Sequence, residues 1–374
     1  MNSKLKTGII GCGKVTGIHA AALKTIQKSA FTAVCSRDAK KCQEYASRYG
    51  VKAYTNVTEM VSKEKLDIVT ICTPHPAHMA PTIEALKAGA NVLIEKPLAS
   101  SLEDCDAMLA ASSETGKKIG IISQRRFYSP CLRLKEAITS GKIGKPVLGT
   151  VFMFGWRNEA YYKSDLWRGS WKEEGGGVLV NQAPHQLDLL QWFMGSEIEE
   201  IYGVWKNLNH PYIEVEDTAL AILKFKNGAL GNIIVSNSQK PGIYGKVHIH
   251  GDNGASVGVQ TDGGAMFIAG MTSILEPPVN DLWTVPGEEN NLQDWIKEDS
   301  AFFDSVNSME YYHRLQIEDF IDALIDGRKP MVTGEEGRVT VEIFTAIYRS
   351  QRDGKAVKFP LLPEYDRNDF DGRI

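Results

Sequence analysis

Glu95-Lys96-Pro97 closes the apolar run Asn91-Val92-Leu93-Ile94. A strand buried on both faces reads as a continuous hydrophobic run, and this one stops at a charged pair and a residue that cannot continue a ladder. In open α/β sheets, ligands sit in the crevice outside the carboxyl ends of the strands. Lys96 is therefore expected to face a bound molecule, with Pro97 fixing the backbone behind it. Its ammonium can stabilise charge developing on an oxygen or, desolvated or set beside another cation, act as a base. The other group suited to proton transfer is His185, which ends Gly175-Gly176-Gly177-Val178-Leu179-Val180-Asn181-Gln182-Ala183-Pro184-His185. Histidine titrates near neutrality unperturbed, where a general base works best. Asn181 stands one helical turn before it and Asp188 three residues beyond, so all three are expected on one helix face.

Leu5 to Ile10 reads as a short apolar strand, followed by Gly11-Cys12-Gly13-Lys14-Val15-Thr16-Gly17-Ile18-His19 and a helical stretch from Ala20 to Ile26. Strand, glycine turn and helix in that order form the context of a dinucleotide fingerprint. Gly11 permits the tight turn and Gly13 lets the backbone approach a pyrophosphate. Cys12, Lys14 and Val15 complete the loop whose amides and helix dipole meet the phosphates. Thr16 takes the third small position, with Gly17 beside it to restore close packing. The second strand, Phe31 to Cys35, leads to Ser36-Arg37, where an acidic residue would bind the ribose of NAD. A hydroxyl beside a guanidinium suits a 2′-phosphate, so NADP is favoured over NAD, while Asp38 keeps NAD open. A further strand, Asp67 to Cys72, breaks at Thr73-Pro74-His75-Pro76-Ala77-His78. Thr73, Pro74, His75, His78 and Glu95 are read as neighbours of the cofactor or substrate. No metal is expected, because prolines make the His75 region a turn, and His248 and His250 alternate on a strand without a carboxylate or cysteine set.

Strand and helix signals alternate up to residue 124, with helices at Met79 to Ala88 and from Ser101, and a last strand at Lys118 to Ser123. Such alternation means a doubly wound parallel sheet. Beyond a helix near Pro130 to Ser140 the strands become long and alternating, as in Val147 to Trp156 and Thr218 to Lys226. Asn227-Gly228 signals a hairpin into Ala229 to Asn237. The expected class is α/β in two domains, 1–124 and 125–374, the second a large, mostly antiparallel sheet with helices on one face. Leu275 to Asn307 reads as long and irregular, a lid or an oligomer contact. Trp156 to Lys172 is rich in aromatics and cations. Sugar C–H faces pack on rings and sugar hydroxyls take donors from cations, which nominates Arg157, Tyr162, Trp167 and Arg168 as substrate contacts.

The 374 residues are 43% hydrophobic, ample for two ordinary cores. A net charge of −4 gives no reason to expect nucleic acid or an anionic membrane as partner, and no apolar run approaches the roughly 18 residues of a membrane span. There is no leader pattern ahead of the first strand. Six cysteines fall within the first 131 residues without a CxxC, so a reducing cytoplasm is expected.

The glycine loop, the Thr73 to His78 turn, Glu95-Lys96-Pro97 and the Gly175 to His185 segment together resemble the glucose–fructose oxidoreductase, inositol dehydrogenase and rhizopine-catabolism family (Gfo/Idh/MocA). The similarity continues through His313 to Asp326 and Glu335 to Pro360. The resemblance implies a Rossmann domain followed by an α/β domain with a large open sheet, and redox chemistry at a sugar or polyol carbon with a nicotinamide. It implies that Lys96 contacts the reacting hydroxyl, that His185 is the second catalytic residue, and that Gln124, Arg126 and Tyr128 meet the nicotinamide and substrate. His313 is expected to add a substrate contact. Asn181 departs from the family pattern, which has aspartate there in many members. An amide cannot take a proton, so Asn181 is left with positioning. Face-to-face packing of open sheets implies a homo-oligomer, a dimer or tetramer. The expected activity is hydride exchange at a ring secondary hydroxyl of a sugar, glycoside or polyol, with C3 as the assigned carbon. Either His185 is the base and Lys96 stabilises the oxygen, or the roles are reversed. The alternatives are a reductase of a small carbonyl or dihydrodiol compound, internal recycling of the cofactor between two sugars, and a non-catalytic nucleotide sensor.

Overall fold

The computed structural model describes residues 4–240, 242, 245–261 and 276–364. Of these, the first compact unit takes in the residues up to Gln124 together with Ser308–Val339, and the second Arg125–Asn307 and the residues from Thr340 on.

In the first unit six parallel strands, β1 (Leu5–Ile10), β2 (Ser29–Cys35), β3 (Lys52–Tyr54), β4 (Ile68–Ile71), β5 (Asn91–Ile94) and β6 (Ile119–Ile121), lie in the order β3-β2-β1-β4-β5-β6. Five helices follow them: α1 (Thr16–Thr25), α2 (Ala39–Tyr49), α3 (Val57–Glu64), α4 (Met79–Lys87) and α5 (Leu102–Thr115). Asp38, Asn56 and Ser101 start α2, α3 and α5 by accepting the amides of Lys41, Glu59 and Asp104, each such cap contributing about 1 kcal/mol. All four residues of β4 are buried, as a strand covered on both faces requires. Strand order reverses between β1 and β4, so a crevice opens at their carboxyl ends. Gly11 stands there with φ +103°, and a Cβ on it would lie 2.7 Å from the carbonyl carbon and oxygen of Cys72. Only glycine lets the two strand ends come this close.

The helix Ser308–Ile325, which lies within the stretch 125–374 expected as the second domain, falls in this compact unit. Its Ile317, Phe320 and Ile321 share one core with Ile9, Leu23 and Ile68. Gln316 accepts from the Ser123 amide at 2.8 Å and donates to the Ile121 carbonyl at 2.6 Å, closing off the end of β6.

The second unit holds α6 (Ser129–Thr139), β7 (Pro146–Phe154), α7 (Glu159–Lys163), α8 (Val178–Asn181), α9 (Pro184–Met194), β8 (Ile198–Lys206), β9 (Thr218–Phe225), β10 (Leu230–Ser236), β11 (Gly245–Gly251), β12 (Ser256–Thr261), β13 (Val279–Trp283), α10 (Leu292–Ser305) and β14 (Val357–Lys358). Its sheet runs β13-β12-β11-β7-β10-β9-β8-β14. Every pairing is antiparallel except β7 with β10. The Asn227-Gly228 turn joins β9 to β10, with the Ala229 amide donating to Asn227 Oδ1 at 3.1 Å. Along β9, Ala219, Ala221, Leu223 and Phe225 are buried while Leu220, Ile222 and Lys224 are exposed, the alternation of a sheet with one covered face.

The expectation of an irregular Leu275 to Asn307 is corrected for its described part, which contains β13 and α10; Leu275 itself lies outside the described residues. Trp283 and Trp295 meet edge to face at 5.0 Å, and the Arg133 guanidinium covers Trp295 at 4.6 Å while pairing with Asp299 at 2.9 Å. No disulfide joins the six cysteines, all of them buried. Among the described residues no helix is long and apolar enough to cross a membrane.

Candidate active site

The glycine loop is built to receive a phosphate. Thr16 Oγ1 accepts from the Gly13 amide at 2.9 Å and donates to the Gly11 carbonyl at 3.0 Å, so the threonine in the third small position braces the turn. Tyr45 donates to the Gly13 carbonyl at 2.9 Å from the far side. Among the described residues Val15, at the start of α1, offers no side-chain cap, and the amides of Ile18 and His19 turn to its carbonyl, so an anion at the positive end of the dipole would meet the amides of Thr16 and Gly17. These residues fit a dinucleotide pyrophosphate. At the end of β2, Ser36 is half-buried and Arg37 exposed. Asp38, which kept NAD open, accepts the Lys41 amide at 3.0 Å as the cap of α2.

At the ends of β4 and β5 several of the nominated residues turn out to serve the protein itself. His78 is buried with Nδ1 3.1 Å from the carbonyls of both Pro97 and Leu98, and Nε2 2.9 Å from that of Thr73. Burial pushes its pKa down. Its ring bridges the turn after β4 and the segment after Lys96, so His78, read as a cofactor neighbour, holds the edge of the crevice together. Glu95 likewise points inward. Its Oε1 accepts from His19 Nε2 at 2.6 Å and its Oε2 from the Lys96 amide at 3.2 Å. His313, expected at the substrate, is 4% exposed, with Nε2 3.8 Å from Glu95 Oε1. Lys96 is half-buried, and Gln124 Oε1 is buried without a hydrogen-bond partner, a polar atom left for a ligand to satisfy.

In the second unit two of the three glycines before His185 are required sterically. A Cβ on Gly177 would fall 1.8 Å from the Glu216 carbonyl oxygen, and one on Gly176, at φ +149°, would fall 2.3 Å from the Tyr348 hydroxyl. Glu216 accepts the amides of Gly177 and Leu179 at 2.9 and 3.0 Å and the Tyr348 hydroxyl at 3.0 Å. Burial lifts its carboxyl to about 7 against those donors. This buried carboxylate seats α8, and the sequence reading missed it. Asn181 donates to Glu174 Oε1 and to the Tyr161 hydroxyl, and Glu174 Oε2 accepts the Gly169 amide at 2.6 Å. A carboxylate therefore stands beside Asn181, supplied from another position. His185 is half-buried at the start of α9.

Asp188 and Arg126 form a bidentate pair, Nε to Oδ2 at 2.8 Å and Nη2 to Oδ1 at 2.7 Å, with the Arg126 side chain wholly buried. Arg126, nominated as a substrate contact, is thus anchored to Asp188 through two of its five N–H donors. Arg168 lies 4.4 Å over the Tyr161 ring and donates to its hydroxyl at 2.6 Å, and the Arg157 guanidinium is 5.3 Å from the same ring. Both cations nominated for substrate hold Tyr161 in place. Tyr162 is buried with its hydroxyl unpartnered, Tyr128 is buried, and Trp167 is half-buried. His248, read without a carboxylate, has Asp281 at 3.0 Å.

Fold and sites define a dinucleotide-dependent oxidoreductase. Residues 5–122 match the NAD-binding Rossmann fold of the Gfo/Idh/MocA oxidoreductase family, and residues 135–359 match its C-terminal alpha/beta domain. The chain belongs to this family. It is 28% identical over 361 residues to the myo-inositol 2-dehydrogenase of Thermotoga maritima, covering 95% of this chain and 98% of that one. It is 26% identical to the scyllo-inositol 2-dehydrogenase (NAD(+)) of Bacillus subtilis, covering 98% and 99%. Among solved structures, the WlbA dehydrogenase of Bordetella pertussis in complex with NADH and UDP-GlcNAcA superposes with a TM-score of 0.80 at 28% identity, over 96% of this chain and all of the other.

Proposed function

We propose that the protein transfers hydride between a nicotinamide dinucleotide and a ring secondary hydroxyl of a polyol, sugar or glycoside, with C3 as the carbon oxidised. The observation that supports this most is in the first unit. A glycine loop braced for a pyrophosphate follows β1, and Lys96 ends β5 at the carboxyl edge of the same parallel sheet. The substrate class is taken from the inositol dehydrogenases and the nucleotide-sugar dehydrogenase to which the chain is similar. A bound nicotinamide supplies the hydride exchange at the carbinol carbon. His185 takes the hydroxyl proton, and Lys96 donates to the same oxygen as alkoxide character develops. Asn181, oriented by Glu174, positions the hydroxyls, and Tyr128, Tyr162 and Trp167 pack on the apolar face of the ring. The test is nicotinamide absorbance on mixing the protein with NAD or NADP and a panel of inositols, glycosides and nucleotide sugars. A change with at least one polyol is expected. Silence across the panel with both cofactors would favour the non-catalytic sensor.

NADP is the preferred form in this reading. It rests on Ser36-Arg37 at the end of β2 and on Asp38 being spent as a helix cap. Arg37→Asp should raise the KM for NADP about 10–100-fold, the value of one or two charge-assisted hydrogen bonds, and improve use of NAD. Equal KM values for both cofactors in the parent protein would remove this part.

The second unit is also read as the assembly surface. Tyr202 pairs with Ile222 and Val204 with Leu220 across β8 and β9, and Ile234 pairs with Leu220 and Phe152 across β10 and β7. Ile222 remains 62% exposed and Leu230 49%. A contiguous apolar sheet face of this kind marks an interface, here with a second copy of the chain. Light scattering should give a dimer or tetramer, and Leu220→Lys with Ile222→Lys should give monomers. A monomeric parent protein would dismiss the interface.

A further inference from the structure

His19, Glu95 and His313 take no part in the chemistry above, yet they form one buried cluster drawn from α1, the end of β5 and the Ser308–Ile325 helix, with ligand atoms all within 4.8 Å of one another. We propose that His19 and His313 are positioning residues for Lys96. They act through Glu95, locking its carboxylate against the Lys96 peptide so that the glycine-loop helix and the end of β5 are set as one piece. The inference rests on the reading of Lys96 as a reacting-site residue.

The geometry divides the carboxylate in two. Oε1 is taken by His19 Nε2 at 2.6 Å and Oε2 by the Lys96 amide at 3.2 Å, so the side chain folds back over its own peptide and sets the direction in which Lys96 leaves the strand. His313 keeps His19 from turning. It donates Nδ1–H to the Met309 carbonyl at 2.7 Å and stands edge-on to His19, with ring centroids 5.3 Å apart and planes at 86°. The proton on Nδ1 leaves Nε2 of His313 without a hydrogen, so His19 is the imidazole that donates to Oε1. The far side of His19 faces Cys72 at the end of β4.

Charge follows the same layout. Burial and His19 together hold His313 down to about 4. Burial opposes ionisation of Glu95, but the His19 hydrogen bond and charge outweigh it and bring the carboxyl to about 2. Burial also opposes protonation of His19; Cys72 and Glu95 raise it to about 10. Because burial keeps the Cys72 thiol protonated, Glu95 is the partner that counts at neutral pH. The cluster is a buried histidine–carboxylate hydrogen bond, with Cys72, His78, Lys96 and a neutral His313 as the titratable groups around it. A closed 2.6 Å hydrogen bond leaves no room for an ion between the pair, so the trio is read as a brace and not as a metal site.

The test uses Glu95→Gln, His19→Ala and His19→Gln in the full chain. Hydrogen exchange across residues 92–102 is measured beside kcat, KM and the pH profile of kcat, below each variant's melting temperature. A glutamine at 95 offers one acceptor where two are needed, and His19→Ala removes the donor. A glutamine at 19 can place an N–H near the original Nε2. In Glu95→Gln and His19→Ala, exchange at the Lys96 amide should quicken at least about tenfold, because an amide that has lost its acceptor opens readily. Misplacing a reacting group by about an ångström should lower kcat roughly 10–100-fold. KM should hold within about threefold and the pH profile should shift, with His19→Gln restoring most of the loss; if His19→Ala does not fold, Glu95→Gln and His19→Gln carry the test. Unchanged exchange and kcat would overturn the proposal, as would stoichiometric Zn²⁺ binding that disappears with His19. If Lys96→Met keeps full turnover while exchange still responds, the reading of Lys96 has failed and the brace has not. If Lys96→Met abolishes turnover and exchange is indifferent to Glu95→Gln, the brace has failed alone.

Discussion

Lys96→Met is expected to leave a folded protein that still binds dinucleotide through the glycine loop but turns over about 10²–10³-fold more slowly, the usual loss when a donor to developing oxyanion charge is removed. His185→Asn should cost about 10²–10⁴-fold, as a general base does. The two losses differ in pH dependence. An imidazole accepts a proton only when neutral, so alcohol oxidation by the parent protein should lose rate on its acid limb. His185→Asn should lose that limb and Lys96→Met should keep it. If Lys96 is the base, the roles swap: the limb persists in His185→Asn and vanishes in Lys96→Met. Rates measured from pH 5 to 10 on both variants separate the cases, and full activity in both would end the proposed mechanism. Melting temperatures are measured beside the rates, and values close to that of the parent protein should accompany both losses.

What could be read in the sequence was local in origin. β5 announces itself as a run with no polar residue after Asn91, and its end is marked by a charge pair and a proline. Gly11 and Gly13 sit between a strand and a helix, where spacing alone identifies the loop. Asn227-Gly228 specifies a hairpin because few other pairs adopt its backbone conformation. What escaped notice depends on pairings across long stretches of chain. Glu216 reaches back 39 residues to the Gly177 amide, and no periodicity links the two. Nothing in the sequence of the Ser308–Ile325 helix says which sheet it packs on, so its place beside β6 appears only once Gln316 meets Ser123. Cations are the residue type whose partners the sequence specifies least. Arg157 and Arg168 read as hydroxyl donors among aromatic rings, and the structure gives them the Trp156 carbonyl and the Tyr161 hydroxyl as acceptors. An arginine's sequence neighbours say that it has partners without saying whether they belong to the protein or to a ligand.

Arg126 is the sharpest instance, and its prediction is correspondingly large. Its guanidinium is fully buried, bound to both oxygens of Asp188 and set 5.1 Å over the Trp192 ring. Gln191 donates to Asp188 Oδ1 at 3.4 Å and to Thr340 Oγ1 at 3.0 Å, extending the network. Taking both charges out of water is expensive, and their attraction compensates only while both are present. Asp188→Leu or Arg126→Met, each leaving one buried charge uncompensated, should cost about 3–5 kcal/mol. For a unit of this size that lowers the melting temperature by roughly 6–20 °C. The double variant Arg126→Met with Asp188→Leu should recover most of the loss, because a well-packed apolar pair of similar volume carries no desolvation cost. A double-mutant cycle read by thermal melting isolates this coupling. Substrate KM should move less than about threefold in the double variant. The opposite pattern, a normal melting curve for Arg126→Met with a KM raised a hundredfold, would return Arg126 to the substrate and mean that its partnership with Asp188 is the resting state of a binding group. The stability cycle is the stronger discriminator of the two, since it reads the pair itself, a guanidinium with no solvent exposure and two carboxylate bonds that are both lost when Asp188 is removed.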